Sequence, residues 1–200
     1  NLAGGDQYEP AEENPMLGLR GAARYIHQNF SDAFQYEIAA IKGVHTWYGL
    51  TNVQAMVPFV RTVSEARAVS QILDEAGFNT QNGYVRWMMV ELPVNVLLLE
   101  QFAPYFDGFS IGSNDLTQLT LGIDRDSGYF AQGYDERNDA VKNLIGEALR
   151  KAHALGKPIG ICGQAPSDYP EIRDFLFASG ISSLSMSSDA VLDLLATFPE

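Results

Sequence analysis

Beyond Gly49 the chain alternates between short apolar runs and longer stretches with helical spacing. The runs are "VQAMVPFV" (53–60), "YVRWMMVEL" (84–92), "FDGFSIGS" (106–113), "PIGIC" (158–162) and "SSLSMS" (182–187). Between and after them come "SEARAVSQILDEAG", "VNVLLLEQFAPY", "ERNDAVKNLIGEALRKAHALG", "YPEIRDFLFASG" and "DAVLDLLATF", with apolar residues three and four apart. Continuous apolar runs joined by helices predict parallel strands covered on both faces, an α/β protein with at least five βα units. Ahead of this alternation, Tyr25, Ile26, Phe30, Ala33, Phe34, Ile38 and Ile41 predict one long amphipathic helix across "GAARYIHQNFSDAFQYEIAAIKGVHTWYG". The first twenty residues are rich in Gly, Pro and acid and read as an extended loop.

Parallel strands linked by helices close into a (β/α)₈ barrel or spread into a doubly wound sheet. The Gly-x-Gly-x-x-Gly turn of a dinucleotide-binding sheet is absent, as is a phosphate-binding P-loop. Polar chemistry instead recurs just after each apolar run: Arg61-Thr62, Glu91, Asn114-Asp115, Cys162-Gly163-Gln164 and Ser187-Ser188. An active site on the C-terminal rim of a barrel draws its residues from those positions. Five strands make part of a barrel, whose usual length is roughly 250 residues. The expected fold is therefore a partial (β/α)₈ barrel, about strands four to eight, with upstream strands outside the chain.

Composition narrows the chemistry. A globular core is implied by 46% apolar residues, and a formal charge of −12 argues against nucleic acid or an anionic membrane as the main partner. An anionic substrate would need local arginines or a metal to overcome that field. No apolar run nears the roughly 18 residues of a membrane span, and the opening residues do not read as a signal peptide. With Cys162 the single cysteine, an internal disulfide is excluded and a reducing cytoplasm is expected. The sequon "NFS" at 29–31 carries no weight without a secretion signal.

Each candidate residue has a plain reading beside the chemical one. Glu91 ends an apolar strand, so its charge must meet a cation or several donors, either a structural partner or a bound ligand. Asn114 and Asp115 suit a helix N-cap before "LTQLTL". Together with Glu91 they would equally give the oxygen-only shell that Mg²⁺ takes from two carboxylates, substrate and water. Cys162 between Gly160 and Gly163 is either a small buried hydrophobe or a group that a substrate can approach. Arg125 could pair with Asp124 or Asp126, and Arg20 stands where loop becomes helix. His27, His45 and His153 show no ligand spacing and read as structural or surface residues. The spacing as a whole points to a metal-assisted α/β enzyme.

The segments "EENPMLGLRGAARY", "NVQAMVPFVRTVSEA", "MMVELPVN", "FDGFSIGSNDLTQLTLGIDRDSG", "DERNDAVK" and "KPIGICGQAPSD" resemble the phosphoenolpyruvate-utilising enzymes. That group comprises phosphoenolpyruvate synthase, pyruvate phosphate dikinase and enzyme I of the sugar phosphotransferase system. Within it "PFVRTVSEA", "DRDSG" and "GICGQAPSD" favour the synthase branch. The resemblance runs from about residue 8 to 190 and implies residues 1–19 as a loop segment and 20–200 as the C-terminal part of a barrel domain binding pyruvate or phosphoenolpyruvate. By matching motif it implies Glu91 and Asp115 as Mg²⁺ ligands and Gly112, Ser113, Asn114 and Asp115 as substrate contacts. It further implies Arg20 and Arg125 at the phosphate or carboxylate side, and Cys162 as the proton donor and acceptor at the methyl carbon. The family's phosphohistidine and ATP-binding domains have no counterpart in these residues, nor do two further substrate arginines. The expectation is a piece of a longer polypeptide that works with those domains, or else a non-catalytic piece whose open edge pairs with another chain, a homodimer included. A metal-dependent lyase on a similar barrel would use the two acids without needing Cys162.

Overall fold

The structure is a computed structural model that describes residues 9, 11–125, 127–129 and 131–196. Five parallel strands form one sheet in chain order: β1 (Ala55–Val57), β2 (Arg86–Val90), β3 (Gly108–Gly112), β4 (Ile159–Cys162) and β5 (Ser183–Leu184). An unreversed order with a helical connection between successive strands is that of a barrel wall, not of a sheet with a switch point. The fold is α/β, a partial (β/α)₈ barrel.

The helices before and between the strands are α1 (Ala22–Ile26), α2 (Ser31–Tyr48), α3 (Val63–Glu75), α4 (Pro93–Leu97), α5 (Leu99–Phe102), α6 (Ser113–Leu121) and α7 (Asp139–Ala154). After β4 come α8 (Ala165–Asp168), α9 (Pro170–Ala178) and, beyond β5, α10 (Ser188–Leu195). Local chemistry explains several boundaries. Thr62 caps α3 by accepting from the Glu65 N–H at 3.1 Å while Glu65 reaches back, a reciprocal box that satisfies two end donors. Pro93 and Pro170 open α4 and α9, where a missing N–H costs nothing.

The two faces of the sheet differ. Val57, Met88, Val90, Phe109, Ile111, Ile159 and Ile161 turn to the helices and are buried with Ala66, Val69 and Leu73 of α3 and Val141, Ile145, Ala148 and Leu149 of α7. Burying each such large side chain contributes about 1.5–3 kcal/mol. The opposite face carries Met89, Ser110, Gly160 and Ser183 in one register row, and Gly112 beside Cys162 in the next row toward the C-terminal edge.

One expectation is corrected. The single helix across 21–49 is two helices, α1 and α2, separated by a turn at 27–30. His27 N–H bonds to Arg24 O, the Asn29 N–H donates to the His27 ring at 3.2 Å, and Tyr25 stacks on Phe34 at 4.1 Å. Ile26, Phe30, Phe34 and Ile38 keep four-residue spacing through the turn even though Ile26 is exposed, so periodicity could not see the break. "VNVLLLEQFAPY" also divides, into α4, α5 and a 3₁₀ turn at Ala103–Tyr105. The stretch "LTQLTL" belongs to α6, which follows β3 with no intervening loop. Among the described residues no helix is long and apolar enough to cross a membrane.

Candidate functional site

The C-terminal edge of the sheet gathers most of the residues singled out from the sequence. Glu91 follows β2, Ser113, Asn114 and Asp115 open α6 directly after β3, and Cys162 ends β4. Arg20 arrives from the loop before α1.

Glu91 is only 5% exposed. Its Oε1 accepts the Phe59 N–H at 2.5 Å, so one donor comes from the segment after β1. Its own N–H donates to Asn95 Oδ1 at 3.2 Å, and the fully buried Asn95 amide in turn donates to Val60 O at 2.6 Å. This bridge fixes where the Glu91 backbone stands between two strand ends. Burial pushes the Glu91 carboxyl up to about 7, and the Asp115 charge pushes the same way; the Phe59 N–H and Arg20 act against them. Two carboxylates repelling at a dry strand end form a ready place for a cation.

Asp115 takes an ion pair from Arg20 at 3.5 Å. Its place in the first turn of α6 suits a carboxylate, since the helix N-terminus favours negative charge. The N-cap alternative does not hold for Asn114 or Asp115: Gly112 is the cap, and no side chain closes it. Asn114 reaches sideways, its Oδ1 accepting the Gln164 N–H at 3.0 Å and tying α6 to the loop after β4. Gly163 in that loop has φ +106°, and a Cβ there would overlap the Ser113 hydroxyl and come within 2.9 Å of Asn114 Oδ1. Gly112 is tight as well, because a Cβ would meet Met89 Cε at 2.8 Å and Glu91 Oε2 at 3.0 Å.

Cys162 is half-buried and pairs in register with Gly112. Burial pushes its thiol up, a hydrogen bond with Ser110 pulls it down, and the Glu91 and Asp115 charges raise it again. It is thus held as a thiol within the field of both carboxylates.

Arg125 lies on the turn that follows α6. It is exposed there, its N–H donating to Gln118 Oε1 at 3.3 Å. Its charge acts against the burial that raises Tyr134 and Glu136, the two side chains that reach Asn114 and Ser113 from the loop after α6. Asp126, one of its expected partners, lies outside the described residues. The histidines read as expected. His45 Nε2 bonds Val53 O at 2.9 Å, His153 Nε2 bonds Gly180 O at 3.0 Å, and the His27 ring accepts from Asn29.

Three participants were missed: Phe59, Glu136 and Tyr134. Arg20 lies over the Phe59 ring at 4.1 Å, and Arg61 over the same ring at 4.6 Å. Glu136 is 2% exposed, with Oε1 unpaired; Ser113 and the Ala165 N–H support its carboxyl while burial raises its pKa. Tyr134 from the same loop donates to Asn114 O at 3.2 Å. One acid of the three in "YDERND" gives no sign of burial, and the apolar run "VPFV" conceals a turned backbone.

Among the described residues no group of three or more His, Cys, Asp or Glu side chains assembles for a metal. The Glu91–Asp115 pair nonetheless fits a hard divalent cation of the Mg²⁺ type, which commonly takes one or two carboxylates and completes its shell with water and substrate oxygens.

A solved structure of an HpcH/Hpal aldolase/citrate lyase family protein from Burkholderia cenocepacia J2315 superposes with a TM-score of 0.50. The match covers 72% of this chain and 62% of that one at 17% identity, a likeness of fold alone. In sequence, the chain is 56% identical over 194 residues to a phosphoenolpyruvate synthase of Pseudomonas aeruginosa and 53% identical over 201 residues to that of Escherichia coli. It is 52% identical to a probable phosphoenolpyruvate synthase of Staphylothermus marinus. These alignments take in 96%, 100% and 96% of this chain but 24%, 25% and 23% of those relatives, so it spans about a quarter of their length. The family model for the PEP-utilising enzyme, PEP-binding domain, matches residues 2–197. The chain belongs to the PEP-binding domain family of the PEP-utilising enzymes.

Proposed function

We propose that this segment is the pyruvate- and phosphoenolpyruvate-binding part of a phosphoenolpyruvate synthase, a phosphotransferase that makes phosphoenolpyruvate from pyruvate and ATP. The observation that carries the reading is the buried Glu91 carboxylate facing Asp115 and Arg20, with the Cys162 thiol on the adjoining strand. The roles that the family resemblance implies fit those neighbours. Glu91 and Asp115 would hold Mg²⁺, which when bound supplies Lewis-acid stabilisation of negative charge on a substrate oxygen. Arg20 would meet the substrate's carboxylate or phosphate, and Gly112, Ser113 and Asn114 would line its approach, where the absence of a Cβ at Gly112 lets Glu91 pack close against the end of β3. Arg125, exposed on the turn after α6, would meet the phosphate or carboxylate side as well. Cys162 would move a proton between its sulfur and the substrate's methyl carbon, and its raised pKa keeps that proton available when phosphoenolpyruvate is the substrate.

The phosphoryl group would come from a phosphohistidine on another domain, charged by an ATP-binding domain, in the cytoplasm. Relatives named as synthases at 49–56% identity favour that member over the dikinase or enzyme I. The test follows exchange of the pyruvate methyl hydrogens with solvent deuterium by NMR in the full-length polypeptide, with and without Mg²⁺. Exchange should require Mg²⁺ and fall roughly 10²–10⁴-fold in Cys162→Ser. Exchange in that variant equal to the wild type would reduce the thiol to packing, and a full-length protein that binds neither pyruvate nor phosphoenolpyruvate would refute the whole reading.

A further inference from the structure

Phe59 is the one non-glycine residue among those described with a positive φ, 50°, and it is 1% exposed. A buried phenylalanine gains its full apolar burial in ordinary extended backbone, so packing alone does not call for the left-handed conformation. What the turn accomplishes is directional. It aims the Phe59 N–H at Glu91 Oε1, 2.5 Å away. It also leaves the ring with the Arg20 guanidinium at 4.1 Å and the Arg61 guanidinium at 4.6 Å from its centroid. Arg61 then grips the loop that brings Arg20 in, donating to the carbonyls of Leu17, Gly18 and Arg20. Ala22 N–H bonds Pro58 O at 3.0 Å, and Gly21 at φ +57° leaves the space in which that loop passes Phe59.

We propose that Phe59 is a positioning residue which sets the Glu91 carboxylate through its backbone and the Arg20 guanidinium through its ring, with Arg61 closing the clamp. The aromatic face attracts a guanidinium without competing for its N–H donors, so one nitrogen of Arg20 can donate to Met16 Sδ and the other stay directed at Asp115, with the remaining N–H groups left for an anionic ligand. This rests on the substrate role given to Arg20 above.

The test uses the full-length polypeptide with Phe59→Leu, which keeps apolar bulk but removes the ring face, and Phe59→Tyr, which keeps the face. The KM and kcat for pyruvate are read beside the melting temperature. Labelling of Arg20 by phenylglyoxal, followed by peptide mass spectrometry, reports on the guanidinium itself. Phe59→Leu should raise KM about tenfold and speed Arg20 labelling severalfold, with Tyr returning both to near wild type. Arg61→Ala should likewise speed Arg20 labelling, and it decides the matter if a Phe59 variant fails to fold. Arg20 labelling that matches the wild type in both Phe59→Leu and Arg61→Ala overturns the clamp, as does activity that falls only in step with melting temperature. A wild-type protein that binds no pyruvate would sink the functional reading, whereas the labelling rates would still judge the clamp.

Discussion

Replacing Glu91 by glutamine removes one charge from a nearly closed site while keeping its shape. The amide oxygen can still accept the Phe59 N–H, and the new NH₂ faces Asp115. In the folded protein the Glu91 carboxyl is raised from 4.5 to about 7, first by burial and then by the Asp115 charge. A raised carboxyl pKa means that the folded state holds the proton more tightly than the unfolded chain. The resulting contribution to stability is whole below about 4.5 and is lost as pH rises through about 7. At 1.36 kcal/mol per unit the loss is on the order of 3 kcal/mol. Urea unfolding of the chain, followed by tryptophan fluorescence between pH 4.5 and 8, measures it. Wild-type stability should fall across that window, and Glu91→Gln should flatten the fall and be the more stable protein at pH 8. Millimolar Mg²⁺ should restore stability to the wild type at pH 8 but much less to the variant, because a ligand that binds only the folded state stabilises it. Parallel pH profiles for the two proteins would refute the claim that this carboxyl is strained by burial and by Asp115.

Three further outcomes are expected. Without a divalent ion, iodoacetamide should alkylate Cys162 slowly at pH 7, accelerating only above the ordinary thiol range because burial and the nearby carboxylates raise its pKa; mass spectrometry gives the rate, and fast labelling at pH 7 contradicts it. Gly163→Ala should cost more than about 1 kcal/mol in unfolding experiments and depress turnover, since a Cβ meets Ser113 and Asn114 from a left-handed backbone; a wild-type melting curve would show the loop to be yielding. Glu136→Leu should destabilise by about 1–3 kcal/mol by stripping Ser113 and the Ala165 N–H of an acceptor, whereas Glu136→Gln should be near neutral at pH 7; equal effects of the two would assign the role to charge.

What the sequence by itself determined was what repeats locally. All five strands lie inside the apolar runs, and α3, α7 and α9 match their helical spacing, because side-chain periodicity follows from backbone geometry over a few residues. The long motifs likewise carried the family. Only tertiary structure decided how the rim is wired. The turn between α1 and α2 was hidden because Ile26, Phe30, Phe34 and Ile38 follow one another at four-residue intervals across it. Asn114 looked like a cap and is a bridge to Gln164, 50 residues away. Arg20 meets Asp115 across 95 residues, and Glu91 meets the Phe59 N–H across 32. Glu136 gave no signal at all, since whether an acid is buried depends on which distant surfaces close over it. A local pattern records which way each side chain leans from its own element; the field at a buried charge is the sum of contacts that exist only once those elements have packed.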